Sequence, residues 1–133
     1  MILDHELARL YARALIAIAR ADGVINFEEG LRLEQRIAAR CGGEPSVADL
    51  LLEPPLDPDA LADALRGGPF RGASVSPVEL AEHLVADGVA VVLAKGHVSA
   101  GEAARLRAFA AALGVSDADF QRLTAGVARW IPP

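Results

Sequence analysis

The 133-residue chain reads as all-α, a compact bundle of about seven helices. Three observations predict it. Apolar residues recur at three- and four-residue spacing through each long segment, the period of a helix with one buried face. Asn26, Ser76, Ser99 and Ser116 are each followed three residues later by an acid, the pattern of a helix N-terminus whose orphan amides are taken by side chains. No segment sustains the alternation and β-branched enrichment of a strand.

Taken in order, Leu7, Leu10, Tyr11, Ala14, Leu15 and Ile18 place an apolar stripe on a helix from about Asp4 to Ala21, which Gly23 stops. Asn26 with Glu29 caps a second helix, its buried row Leu33, Ile37 and Cys41. Gly42 and Gly43 close that helix, because glycine enters the left-handed conformation without a steric cost of roughly 1 kcal/mol. Six of the eight prolines fall between Gly42 and Pro77 and mark a broken middle. Two short helices fit there, Ser46 to Glu53 and Asp57 to Arg66, the latter with Pro58 at its first position. Gly67, Gly68 and Gly72 make the next connection. Ser76-Pro77-Val78-Glu79 then opens a long helix, with Ala81, Leu84, Val85, Gly88, Val91 and Val92 on one face, running to about Lys95. Ser99 with Glu102 caps a helix carrying Leu106, Phe109, Ala110 and Leu113. Ser116 with Asp119 caps the last, carrying Phe120, Leu123, Val127 and Trp130.

Composition bounds the function. With 53% hydrophobic and 23% charged residues the chain has the make-up of a globular domain rather than a disordered one. A net charge of -5 argues against a nucleic-acid partner. The longest uncharged run, Ala108 to Ser116, falls far short of the roughly 20 residues of a membrane span. Acids at Asp4 and Glu6 stand where a secretory leader would carry basic residues, so the expected location is cytoplasmic. Arg outnumbers Lys twelve to one and Ala is the commonest residue, as in a GC-rich bacterial genome. The lone Cys41 excludes an internal disulfide and any multi-cysteine zinc site, and on its apolar row it reads as inert packing.

The chain also resembles itself. A shift of 73 positions lays Ala21 on Ala94, Gly23 on Gly96, Ile25 on Val98, Asn26 on Ser99, Glu29 on Glu102, Arg32 on Arg105 and Leu33 on Leu106. Two pseudo-repeated helical hairpins, about 4–42 and 76–114, joined by a linker with short helices at 43–75, make a single domain over 1–133. Ala86-Asp87-Gly88 repeats the letters of Ala21-Asp22-Gly23, but it lies inside the long helix with no capping box after it and reads as a coincidence.

The segment Ala19-Arg20-Ala21-Asp22-Gly23-Val24-Ile25-Asn26-Phe27-Glu28-Glu29, with Lys95-Gly96-His97-Val98-Ser99-Ala100-Gly101-Glu102 and Leu113-Gly114-Val115-Ser116, resembles the TerB-like family of tellurite-resistance domains, which includes the N-terminal domain of DjlA-type co-chaperones. The resemblance spans about Leu7 to Leu123. It implies an all-helical stress-response domain without catalytic activity, in which acids near the Gly turns bind divalent metal cations. Carried over, it implicates Asp22, Glu28 and Glu29 in the first half and Glu102 in the second. The second half departs from the family, because Lys95 stands where an Asp is expected, and a fixed positive charge there weakens a symmetric metal site.

The residues themselves support several chemistries. Asp22-Gly23 to Glu29 matches the second half of a calcium loop, but Ile18 and Arg20 at its first and third positions cannot supply oxygens, which argues against tight calcium binding. Capping alone accounts for Gly23, Asn26 and Glu29. A metal-dependent enzyme or metal store would use Asp22, Glu28, Glu29, His97 and Glu102, and requires the two Gly turns to meet. No zinc-protease, di-iron or phosphate-loop motif is present, and Gly72-Ala73-Ser74-Val75-Ser76 is no nucleophile elbow, so no enzyme is expected. Arg32, Arg36 and Arg40 form a stripe that reads as a solvated face, or else as a surface for an acidic partner or peripheral anionic lipid. His97 reads as a solvated turn residue, and His83 as a surface contact of Asp87. The expectation is a non-enzymatic module with a protein partner.

Overall fold

A computed structural model describes residues 3–41, 46–66 and 75–133, except for the Cys41 side chain. The helices are α1 (His5–Ala19), α2 (Phe27–Cys41), α3 (Val47–Leu50), α4 (Pro58–Arg66), α5 (Pro77–Val92), α6 (Ala100–Ala112) and α7 (Asp117–Ala125), with one 3-10 turn at Leu93–Lys95. There is no strand among the described residues. The expected stops at Gly42–Gly43 and Gly67–Gly72, and the place of Cys41 in the buried row, lie outside the described residues.

Helix α1 is the axis of the bundle. Its stripe is buried at Leu7, Tyr11, Leu15 and Ile18, and small residues at Ala8, Ala12, Ala14, Ala17 and Ala19 fill its other faces, so helices pack on several sides. Its neighbours are α2, α3, α4, α5 and α6. Helix α5 is the second central element, with Leu80, Ala81, Leu84, Val85, Gly88, Val91 and Val92 buried. Leu106 of α6 packs into the space left over Gly88, where a Cβ would lie 2.8 Å from its Cδ1. Leu106, Phe109 and Leu113 then complete the core with no exposed surface. Truncating Phe109 to alanine is expected to cost about 3–5 kcal/mol.

The caps form as the spacing predicts. Asn26 and Ser99 make complete capping boxes: Glu29 N–H donates to Asn26 Oδ1 at 2.8 Å and Asn26 N–H to Glu29 Oε1 at 3.2 Å, while Glu102 N–H donates to Ser99 Oγ at 3.1 Å and Ser99 N–H to Glu102 Oε1 at 2.9 Å. Ser76 and Ser116 accept from the N–H groups of Glu79 and Asp119, both at 3.1 Å. Gly23 and Gly96 turn the chain into the two boxes at φ 95° and 102°, a region that costs other residues about 1 kcal/mol.

In three dimensions the repeat is longer than the hairpins seen in sequence. Helix α3 packs on α1 as α7 packs on α5, and the same shift of 73 carries Leu50 onto Leu123. Each copy is therefore three helices, α1–α2–α3 and α5–α6–α7, with α4 set between them. One expectation fails at the end of the chain. Helix α7 stops at Ala125, with Gly126 as its C-cap, instead of reaching Trp130; Val127 and Trp130 still pack against the core from the turns that follow. Among the described residues no helix is long and apolar enough to cross a membrane.

Candidate functional site

The two Gly turns meet. Lys95, at the end of the 3-10 turn that follows α5, extends its ammonium among three carboxylates: Asp22 Oδ2 at 3.4 Å, Glu29 Oε2 at 3.3 Å and Glu102 Oε1 at 2.5 Å. Three N–H donors thus face three acceptors. Asp22 comes from the first turn, and Glu29 and Glu102 are the third residues of α2 and α6, where their own capping boxes fix them. Glu29 and Glu102 are buried and Asp22 is exposed. Lys95 is the repeat mate of Asp22, and Glu102 that of Glu29. Contacts between mates place this cluster on the axis that relates the two copies.

Burial, then a hydrogen bond shared with the Glu102 carboxyl, pushes Glu29 up to about 7, against the opposing pull of the Asn26 amide and Lys95. Glu102 Oε2 is buried with no hydrogen-bond partner among the described residues. Burial alone would lower the Lys95 ammonium, but Glu102 and Glu29 outweigh it and hold the group above its ordinary value. The cluster is a pair of buried caps bound by an internal cation.

Of the residues proposed for a metal, Asp22, Glu29 and Glu102 are brought together, while Glu28 is exposed and outside these ion pairs, and His97 is an exposed turn residue. Among the described residues no group of three or more His, Cys, Asp or Glu side chains is placed to hold a metal ion. Lys95 lies between the acids, so its side chain does more than weaken the site. It stands where a divalent cation would have to bind.

A second charged cluster corrects the sequence reading. Asp87, inside α5 and so no second Gly turn, is fully buried and accepts from Arg40 Nε at 2.9 Å and Nη2 at 3.2 Å, from Arg36 Nη1 at 3.5 Å and from the Tyr11 hydroxyl. Arg36 and Arg40 are therefore not a free solvated stripe. They neutralise a carboxylate that would otherwise be uncompensated in the core, and Arg32 alone of the three is exposed. The Asp87 hydrogen bond, against burial, raises the Arg40 guanidinium; burial first, then the Asp87 charge, holds the Tyr11 phenol well above its ordinary value. His83 is half-buried, and the recorded partners of Asp87 are the tyrosine and the two arginines. The missed signal was periodicity. Asp87 falls on the stripe of Leu84, Gly88 and Val91, where a carboxylate needs a cation.

Three large apolar side chains that follow the first Gly turn in sequence are exposed. Val24, Phe27 and Leu31 are 67%, 75% and 47% exposed, the last two one turn apart on α2. Their repeat mates are His97, Ala100 and Ala104, so the large apolar side chains belong to the first copy. No protein-family model, curated protein or solved structure matches the chain.

Proposed function

We propose that the chain is a non-enzymatic, cytoplasmic, TerB-like helical domain that acts as a protein-interaction module. The observation that carries this reading is the exposure of Val24, Phe27 and Leu31, large apolar side chains in the stretch that runs from the first Gly turn into α2. Large apolar groups on the surface, next to polar groups and without catalytic neighbours, suit a partner protein. The family resemblance supports the same reading through the Asp22-Gly23 to Glu29 and Gly96 to Glu102 segments.

The experiment has two arms. Thermal unfolding of chelator-treated protein with calcium, magnesium, manganese and zinc in turn is expected to show no shift, whereas a bound ion at 100 times its dissociation constant would add about 2.7 kcal/mol. A shift lost in both Asp22→Asn and Glu29→Gln would replace this reading by a metal-binding one. In the second arm, proteins retained from source-cell extract by the wild-type domain are compared with those retained by the Phe27→Asp, Leu31→Asp double variant. Loss of a specific partner with unchanged melting is the expected result; an identical retained set would overturn the interaction role of this row.

A further inference from the structure

Three arginines converge on one groove of this acidic protein. Arg13 and Arg20 of the first copy and Arg105 of α6 line a cavity of about 180 Å³, walled by Ile16, Leu50 and Pro54 and bearing a single acid, Glu53. That acid is already engaged. It pairs with Arg9, outside the lining, and with Arg13, whose buried Nε lies 3.2 Å from Glu53 Oε2 without the alignment of a hydrogen bond. Arg13 Nη2 donates to Pro54 O at 3.0 Å and Arg20 Nη1 to Leu51 O at 3.4 Å. A guanidinium has five N–H donors, so most of those in the groove remain available. Arg20 and Arg105 have no carboxylate partner among the described residues.

The fold supplies its own control. The groove of the second copy, between α5 and α7, has nearly the same volume, about 190 Å³, and is lined at the same repeat positions by Ala86 in place of Arg13, Val89 in place of Ile16, Leu123 in place of Leu50 and Val127 in place of Pro54. Leu93 is the mate of Arg20. This packing of a third helix on a central one therefore stands without arginines, and tethering the α3 segment does not by itself explain three of them in one place.

We propose that the first groove binds a small phosphomonoester. Three guanidiniums and one shared carboxylate leave an excess of about two positive charges, which matches the charge of -1.5 to -2 on a phosphate group at neutral pH better than a single carboxylate. Guanidinium forks fit the phosphate oxygens bidentately. Ile16, Leu50 and Pro54 give an apolar wall for the body of the ester, and the volume, roughly that of six waters at ~30 Å³ each, admits a phosphate with a small ring. This site is independent of the Val24, Phe27 and Leu31 row.

The test is calorimetric titration, with melting as a second readout, using phenyl phosphate, inorganic phosphate and benzoate on wild type, Arg20→Gln, Arg105→Gln and Arg32→Gln. Arg32 is the exposed mate of Arg105 and serves as the charge control. Phenyl phosphate is expected to bind and raise the melting temperature, inorganic phosphate more weakly, and each groove variant to lose at least about tenfold in affinity while Arg32→Gln loses nothing. No binding of phenyl phosphate at about 10 mM would overturn the site. Equal loss in Arg32→Gln would reduce it to general charge attraction, and benzoate binding as tightly as phenyl phosphate would overturn the phosphate assignment. Equal binding of phenyl and inorganic phosphate would remove the apolar wall from recognition.

Discussion

The interface of α2 on α5 and that of α6 on α1 occupy equivalent places in the repeat, yet one is ionic and the other apolar. In the first, Arg36 and Arg40 reach Asp87 with Tyr11 beside it. Their mates, Phe109, Leu113, Ala14 and Leu84, are all buried hydrocarbon. One backbone arrangement thus accepts either solution, provided that each is complete. A buried charge is tolerated only with its partners, and an apolar core only without stray charge.

The largest effect should come from breaking the ionic side alone. Asp87→Ala leaves two arginines and a buried phenol without their acceptor and is expected to cost about 3–5 kcal/mol in urea unfolding. Copying the other interface entire, with Asp87→Ala, Tyr11→Leu, Arg36→Phe and Arg40→Leu, should return stability to within about 1–2 kcal/mol of wild type. A fourfold variant no better than the single one would show that the interfaces are not interchangeable.

The next effect reads the Glu29 side of the first capping box through pH. Its carboxyl is raised from 4.5 to about 7, so over that interval the folded state holds a proton that the unfolded state has released. The stability from this group is full below the ordinary carboxylate value and is lost as pH rises through about 7. Asp22, Lys95 and Glu102 are the charged groups that face it. Wild type should lose on the order of 2 kcal/mol between about pH 5 and pH 8 relative to Glu29→Gln, measured by denaturant unfolding at each pH. Parallel curves for the two proteins would refute the raised Glu29 carboxyl.

Where the copies agree, substitutions should agree. Gly23→Ala and Gly96→Ala each meet open space and face only the left-handed backbone penalty, so each should cost about 1 kcal/mol and the two should differ by a few tenths at most. Phe27→Ser, on the exposed row, should change stability by less than about 0.5 kcal/mol.

The helices were legible because their signals are local. Asn26 with Glu29 and Ser99 with Glu102 define their own starts within one turn, and the stripes of α1 and α5 are periodic over four turns. The end of α7 was not legible: Val127 and Trp130 continue the helical spacing, and their burial is achieved from turns instead. In the candidate site, the convergence of Asp22, Glu29 and Glu102 was readable as a condition, but the direction of Lys95 was not, since nothing local says whether a lysine repels a site or fills it. Asp87 and its arginines are 47 and 51 residues apart, a pairing set by how α2 crosses α5. The arginine groove draws on α1, the α3 segment and α6 and has no contiguous trace at all.

Lys95 and Asp22 carry one more consequence, for symmetry. Had this architecture been assembled as a twofold dimer of one short chain, the position facing its own image across the axis would hold the same residue twice, and a charge there would meet its like. Joining both copies in one polypeptide lets position 22 be an acid and position 95 a base, so the contact on the axis becomes heterotypic. The covalent link thus permits a complementarity that identical subunits cannot reach at that point.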